Sequence, residues 1–106
     1  MMTVMEASDM DLLHEYARTN SEQAFRALVD RHVNLVHAVA LRQTNLPHLA
    51  EDVTQAVFII LAEKAGSIPP KTILAGWLFR ATRFAAANVK RAEARRGHWE
   101  QQAAQM

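Results

Sequence analysis

The sequence has no cysteine, only three glycines and three prolines, and no long run of apolar residues. Without cysteine the chain forms neither a disulfide framework nor a cysteine-ligated metal site, which suits a reducing compartment. The longest apolar run, from Val57 to Ala62, is far shorter than the roughly 20 residues that span a membrane as a helix. The N-terminus lacks the basic and apolar segments of a secretory signal, so we expect a cytoplasmic protein without membrane contact.

The formal net charge is only +1, but the basic residues are concentrated in one part of the chain. From Met1 to Pro70 there are nine acidic residues and five lysines or arginines. From Lys71 to His98 there are seven basic residues and a single acidic one, Glu93. This asymmetry is typical of a domain with one polyanion-binding face.

The hydrophobic pattern predicts an all-α fold, a compact bundle of about four helices with no β-sheet. No segment alternates with the two-residue period of a strand, and the few glycines and prolines fall where helices would end. Residues 1–8 are expected to be a flexible N-terminus, 9–97 one helical domain, and 98–106 a C-terminal tail or the start of a linker. Asp9 and Thr72 are the expected capping residues of the first and last helices. The predicted helices run from Asp9 to about Arg18, Glu22 to Gln43, Pro47 to Ala65 and Thr72 to Arg96.

The last predicted helix has one face for burial and one for negative charge when its residues are placed about 100° apart. The basic face also contains Ala87, whose short side chain would let a phosphate backbone approach the helix. The arc predicted to be buried contains Leu74, Trp77, Leu78, Ala81, Phe84, Ala85 and Val89. The basic arc contains Arg80, Arg83, Lys90 and Arg91.

The third predicted helix carries an isoleucine on its polar face. Leu49, Val53, Val57, Ile60 and Leu61 share the face that we assign to the core. Ile59 lies on the opposite face, among Asp52, Gln55 and Glu63, with Ala56 at the edge. It is either an ordinary exposed apolar residue or the apolar centre of a protein-binding patch with a polar rim.

The histidines give little support for an enzyme. His32 lies within the apolar stripe of the second helix, where a packed or edge histidine is more common than a ligand. His48, Glu51 and Asp52 could share one face as metal ligands or an acid/base pair, but acidic residues in a first turn are explained by the helix dipole. We therefore predict no catalytic residue, no metal and no cofactor.

The chain contains the segments AEDVTQAVF, at 50–58, and GWLFRATR, at 76–83, and a basic helix end follows them. Together these features resemble region 2 of sigma-70 family RNA polymerase sigma factors. The resemblance is to the extracytoplasmic-function (ECF) type, and SEQAFRALVDRHVNLVHAVA, at 21–40, resembles the matching part of the same region. It covers roughly Asp9 to Arg96. It implies a bacterial transcription initiation factor that binds polymerase core and promoter DNA.

The resemblance also implies roles for individual residues. Asp52 and Gln55 would face the clamp helices of the largest polymerase subunit, together with Ala56, Ile59 and Glu63. Ala56 replaces the glutamate that is usual in the family, and Phe84 replaces a frequent asparagine. The loop from Gly66 to Lys71 would shape a pocket for a flipped-out base, and the last helix would hold the non-template strand of the minus-ten element. The expected DNA-binding residues are Ser67, Lys71, Arg80, Arg83, Ala87, Lys90 and Arg91.

Two function classes stay open at this point. The first is a sigma factor domain that binds polymerase and melts the minus-ten element, with an anti-sigma factor as a further partner that the resemblance allows. The alternative is a helical protein-interaction module that binds a partner through Asp52, Gln55 and Ile59 without binding DNA. Full ECF factors carry a second, minus-thirty-five-binding domain, and nothing after Gly97 is expected to form it.

Overall fold

The computed structural model describes residues 6–105, which form four helices and no strand. The helices are α1 (Asp9–Thr19), α2 (Glu22–Thr44), α3 (Pro47–Lys64) and α4 (Leu74–Gln105). This confirms the predicted all-α fold. Residues 1–5 and 106 lie outside the described residues, and with them most of the N-terminal segment that was predicted to be flexible.

Ser8, and not Asp9 as predicted, caps α1. The Ser8 hydroxyl accepts a hydrogen bond from the Asp11 amide at 3.0 Å, and the Asp11 carboxylate accepts one from the Ser8 amide at 3.3 Å. This reciprocal capping box satisfies two amides that have no partner within the helix. The Asp9 carboxylate is thereby left to contact α2.

Two asparagines and a serine form the turns between the first three helices, and a proline begins α3 as predicted. Asn20 and Asn45 end α1 and α2 in the left-handed conformation, with φ of 57° and 59°, which asparagine tolerates better than most residues. The Ser21 hydroxyl caps α2 by accepting from the Ala24 amide at 3.2 Å. Pro47 begins α3, where its missing amide leaves no helical hydrogen bond unmade.

α2 packs against all three other helices, and α3 also packs against α4. One apolar cluster lies between them, and it includes Ile68 from the loop that joins α3 to α4. Completely buried members come from every helix. They include Leu12, Leu13, Leu28, Val36, Val53, Val57, Leu61 and Leu78.

α4 differs from the prediction at both ends. It begins at Leu74, because the Thr72 amide closes a turn on the Pro69 carbonyl at 3.1 Å and the Ile73 carbonyl accepts the first helical bond, from Trp77. It continues through Gly97 to Gln105, where a tail was expected. Every side chain from residue 94 to 105 is exposed.

The buried face of α4 is rotated relative to the predicted one. Leu74, Leu78 and Ala85 are buried as expected, but Phe84 is 66% exposed, so its assignment to the core was wrong. Thr82 and Ala86 are fully buried instead. The Thr82 hydroxyl donates to the Leu78 carbonyl at 2.6 Å, which satisfies its polar atom inside the core.

Candidate nucleic-acid interface

The exposed side of α4 carries the basic face that the sequence predicted. Arg80, Arg83, Lys90 and Arg91 are all exposed, and so is Ala87 between them. At 1.5 Å per residue, Arg80 and Arg91 are separated by about 16 Å along the helix axis. The four cations thus form a row along the helix, which suits a phosphate backbone that runs parallel to it.

Two exposed phenylalanines flank this basic face. Phe79 is 43% exposed, and the Arg83 guanidinium lies over its ring, 5.9 Å from the centroid. Phe84 is exposed on the other edge of the basic face. Phe79 was not among the predicted site residues, although an aromatic residue on the side of the helix away from the core was a signal in the sequence. Exposed rings beside cations are the combination that single-stranded nucleic acid requires.

The loop before α4 holds the two remaining residues of the predicted DNA-binding set. Ser67 and Lys71 are both exposed. The Ser67 hydroxyl donates to the Lys64 carbonyl at 3.1 Å, and Ile68 is buried against the core. The loop is therefore fixed to the bundle by its middle, and the Lys71 side chain remains on the surface.

A groove of about 480 Å³ lies between α3 and α4. Its walls come from the last turns of α3 and the first half of α4. Glu63 belongs to the exposed face of α3 and also lines the groove, and Arg80 belongs to the basic face of α4 and also lines the groove. The groove therefore connects the two faces. The residues that line it are Ile60, Glu63, Lys64, Trp77, Arg80, Ala81 and Phe84.

The polar face of α3 is solvent-exposed around a large apolar side chain. Ile59 is 58% exposed. Asp52, Gln55 and Glu63 are exposed on the same side, and Ala56 is half-buried. A large apolar side chain surrounded by polar ones resembles the centre and rim of a protein-binding patch.

The histidine that the sequence placed in an apolar stripe has a structural partner. The His32 Nε2 atom lies 2.9 Å from Asp9 Oδ2, and its side chain is 12% exposed. The predicted interpretation of His32 as a packed or edge residue therefore holds.

Neither a metal cluster nor a membrane helix is found between residues 6 and 105. No group of three or more histidine, cysteine, aspartate or glutamate side chains is placed to hold a metal ion in that range, and this includes His48, Glu51 and Asp52. Within the same range, no helix combines the length and the apolar character needed to cross a bilayer.

Comparison with known families gives a match to this chain. The sequence model of the family described as Sigma-70 region 2 matches residues 28–96, more than half of the chain. Comparisons with curated proteins and with solved structures give no significant match. The matched segment contains most of α2, all of α3 and the part of α4 that carries the basic face. Region 2 acts in RNA polymerase binding and promoter recognition and is a regulatory region, not an enzyme. The chain therefore belongs to the sigma-70 family and contains its region 2.

Proposed function

We propose that this domain binds the clamp helices of the largest RNA polymerase subunit through α3 and holds the melted non-template strand of the minus-ten element along α4. We further propose that it is of the ECF type. The observation that carries this proposal is the presence of two different exposed faces on adjacent helices of one small bundle. One face is centred on an apolar residue with a polar rim, and the other is a row of cations flanked by aromatic rings.

The α3 face suits a protein partner. Ile59, at 58% exposure, would lose most of its solvent contact in an interface, and apolar residues at the centre of an interface contribute most to affinity when polar neighbours exclude water. Asp52 and Gln55 lie one to two turns before Ile59 and can hydrogen-bond to polar groups of the clamp. Ala56 offers no such bond, which favours a modest affinity. An anti-sigma factor that covered Ile59 would compete with polymerase for this face.

The α4 face suits a single strand. Arg80, Arg83, Lys90 and Arg91 would neutralise successive phosphates, and Ala87 leaves room for the backbone between them. Each phosphate contact on a single strand contributes about −0.7 to the slope of log affinity against log salt concentration, so four contacts predict a slope of roughly −3. Stacking of an unpaired base on an aromatic ring contributes roughly 1–3 kcal/mol.

Together these contacts would favour melted promoter over duplex. Unstacking and unpairing one base costs a few kcal/mol, which stacking on a protein ring and contacts to the separated strand offset. The polymerase contact would place α4 at the position where the strands separate. The division of work between α3 and α4 thus couples polymerase binding to strand capture.

The test is binding of the domain to a purified clamp-helix fragment of RNA polymerase, with Ile59→Arg as the disrupting variant. We expect saturable binding that Ile59→Arg reduces by at least tenfold, because it places a charge at the apolar centre of the patch. Ile73→Arg is the matched control. Ile73 is 79% exposed and lies in the loop before α4, outside α3.

Equal effects of the two isoleucine substitutions would contradict the assignment of the clamp contact to α3. Saturable single-strand binding without any clamp binding would contradict the polymerase half of the proposal and leave a DNA-binding relative. Clamp binding without any strand binding would instead support the protein-interaction alternative.

A further inference from the structure

We propose that Phe79 is a positioning residue for strand binding. Its ring holds the Arg83 guanidinium ready for one phosphate of the strand, and the ring itself does not contact a base. This inference rests on the proposed function and adds to it a residue that acts through another side chain.

The contact between Phe79 and Arg83 joins two neighbouring turns of α4. The guanidinium carbon of Arg83 lies 5.9 Å from the centroid of the Phe79 ring, within the distance of about 6 Å at which the negative face of a ring attracts a cation. Residues four apart lie on the same side of a helix, so the helix itself brings the two side chains together. Phe79 is 43% exposed, so protein covers more than half of its surface and limits the motion of the ring.

A stacked guanidinium is well placed to bind a phosphate. The group is planar and its N–H donors lie around its edge, so a ring against one face leaves the donors available. An unordered arginine side chain loses rotamer freedom when it binds, and prior ordering removes part of this cost. Phe79 therefore raises strand affinity through Arg83, because less order remains to be imposed when a phosphate arrives.

The other two arginines of the basic face are also held by a residue on the preceding turn. A Cβ added at Gly76 would lie 3.5 Å from Arg80 Nη1, so the Arg80 side chain folds back along the helix over this glycine. The Arg91 guanidinium donates a hydrogen bond to the Asn88 side-chain carbonyl. The arginines of the basic face are thus ordered before a strand binds, and the ring contact supplies this order for Arg83.

The position of the cation separates Phe79 from a base-stacking ring. Arg83 already lies over the ring of Phe79, so a base could reach that face only by displacing the cation. Phe84 is 66% exposed, and no cation lies over its ring among residues 6–105. Phe84 is therefore the matched control, an exposed phenylalanine of the same helix without the cation contact.

The experiment measures strand affinity with and without the Phe79 ring. The probes are an oligothymidine of about ten nucleotides, within the range of known single-strand sites, and an abasic deoxyribose-phosphate strand of equal length. Phe79→Leu keeps an apolar side chain and removes the ring. We expect it to weaken binding of both strands roughly two- to fivefold, the worth of an exposed cation–π contact, whereas Phe79→Tyr should bind like the parent. The salt slope should stay unchanged in Phe79→Leu, because Arg83 keeps its charge.

A double-mutant cycle shows whether Phe79 acts through Arg83. In an Arg83→Ala background, Phe79→Leu should cause no further loss of affinity, since the side chain that it positions is absent. Phe84→Leu, the control, should have the same effect with and without Arg83.

Proton NMR of the free chain tests the contact directly. A ring beside the Arg83 side chain shifts the resonances of its Cδ protons upfield. Phe79→Leu should abolish this shift, and Phe79→Tyr should keep it. Circular dichroism checks that each variant keeps the helicity of the parent.

The outcomes separate this inference from the proposed function. If Phe79→Leu lowers affinity equally in the parent and in the Arg83→Ala background, and only for oligothymidine, Phe79 contacts a base itself and the inference is wrong. If the parent binds both strands and Phe79→Leu changes neither affinity, the inference is wrong and strand binding along α4 stands. If the parent binds neither strand, the proposed function fails and the inference fails with it.

Discussion

Asp9 connects the first helix to the second. Its Oδ1 atom lies 3.1 Å from Arg31 Nη1, and its Oδ2 atom lies 2.9 Å from His32 Nε2. The Asp9 and His32 side chains are only 28% and 12% exposed, so the contacts are less screened by solvent than an ordinary surface ion pair. This arrangement fixes the start of α1, and the adjacent Leu12 and Leu13 enter the core.

Replacement of Asp9 by asparagine should lower the free energy of unfolding by about 1 kcal/mol. The amide keeps the shape and one acceptor but loses the charge that holds Arg31, and a partly buried charge-assisted hydrogen bond is worth about that much. Urea denaturation measures the change. The control is Glu93→Gln, which breaks the ion pair between Glu93 and Arg96. The Glu93 side chain is 41% exposed and the Arg96 side chain is 63% exposed. An equal shift of the midpoint for both variants would show that the Asp9 contacts add nothing beyond a surface pair.

Phe84 and Thr82 show why the buried arc of α4 could not be read correctly from hydropathy. The predicted arc was centred near Leu74 and Ala81, but the buried side chains are centred roughly 60° further around the helix at 100° per residue. Thr82 was overlooked because it is polar, yet it is buried with its hydroxyl bonded to a backbone carbonyl. A prediction from hydropathy assigns a phenylalanine to the core whether or not a neighbouring helix covers its side chain. Only the position of α3 decides that Phe84 lies beside a groove.

At the scale of helices, the sequence predicted all four elements, and most of their limits agree with the structure to within two residues. The signals were local: the helical spacing of apolar residues, and glycines and prolines near helix ends, such as Pro47 in the first turn of α3. The exception is the end of α4. Gly97 was interpreted as a stop, but none of the described glycines has a positive φ, and glutamine and alanine, which favour helix, follow it.

Gly97→Ala should therefore stabilise the projecting end of α4. Apart from its two chain neighbours and the nearby backbone of its own helix, no atom of the described residues lies within 4 Å of the position that a Cβ at residue 97 would occupy, so the substitution causes no clash. Glycine within a helix costs roughly 0.5–1 kcal/mol relative to alanine. We expect higher helicity by circular dichroism and slower amide exchange from residue 94 to 105. Ala94→Gly, three residues earlier on the same exposed segment, should have the opposite effect. No change in either variant would mean that this segment is not helical in solution.

At the scale of the whole molecule, two exposed faces share one core. α3 and α4 pack against each other and against α2, so the apolar patch around Ile59 and the basic face are held in fixed relative positions. The exposure of each face was predictable, because it depends only on the 3.6-residue period of one helix. The groove between them was not, because it depends on how two helices are placed against each other.

The division of faces makes the effects of two substitutions separable. Gln55→Ala should weaken binding to the clamp fragment roughly fivefold, as expected for one lost hydrogen bond of about 1 kcal/mol. It should leave single-strand binding unchanged, because Gln55 lies on α3, outside the basic face and the groove. Arg83→Ala should do the reverse and lower the salt slope of strand binding by about 0.7, the value for one phosphate contact.

Filter binding at several salt concentrations and titration of the clamp fragment measure the two activities in the same protein samples. Arg26→Ala is the matched control for Arg83→Ala, since Arg26 is an exposed arginine on α2 and lies outside both faces. It should change neither the salt slope nor clamp binding. If Gln55→Ala and Arg83→Ala each weakened both activities equally, the two partners would share one surface, and the assignment of α3 to polymerase and α4 to DNA would be wrong. Separate losses would support two independent surfaces, one on α3 and one on α4, whose relative positions are set by the packing of these helices against each other and against α2.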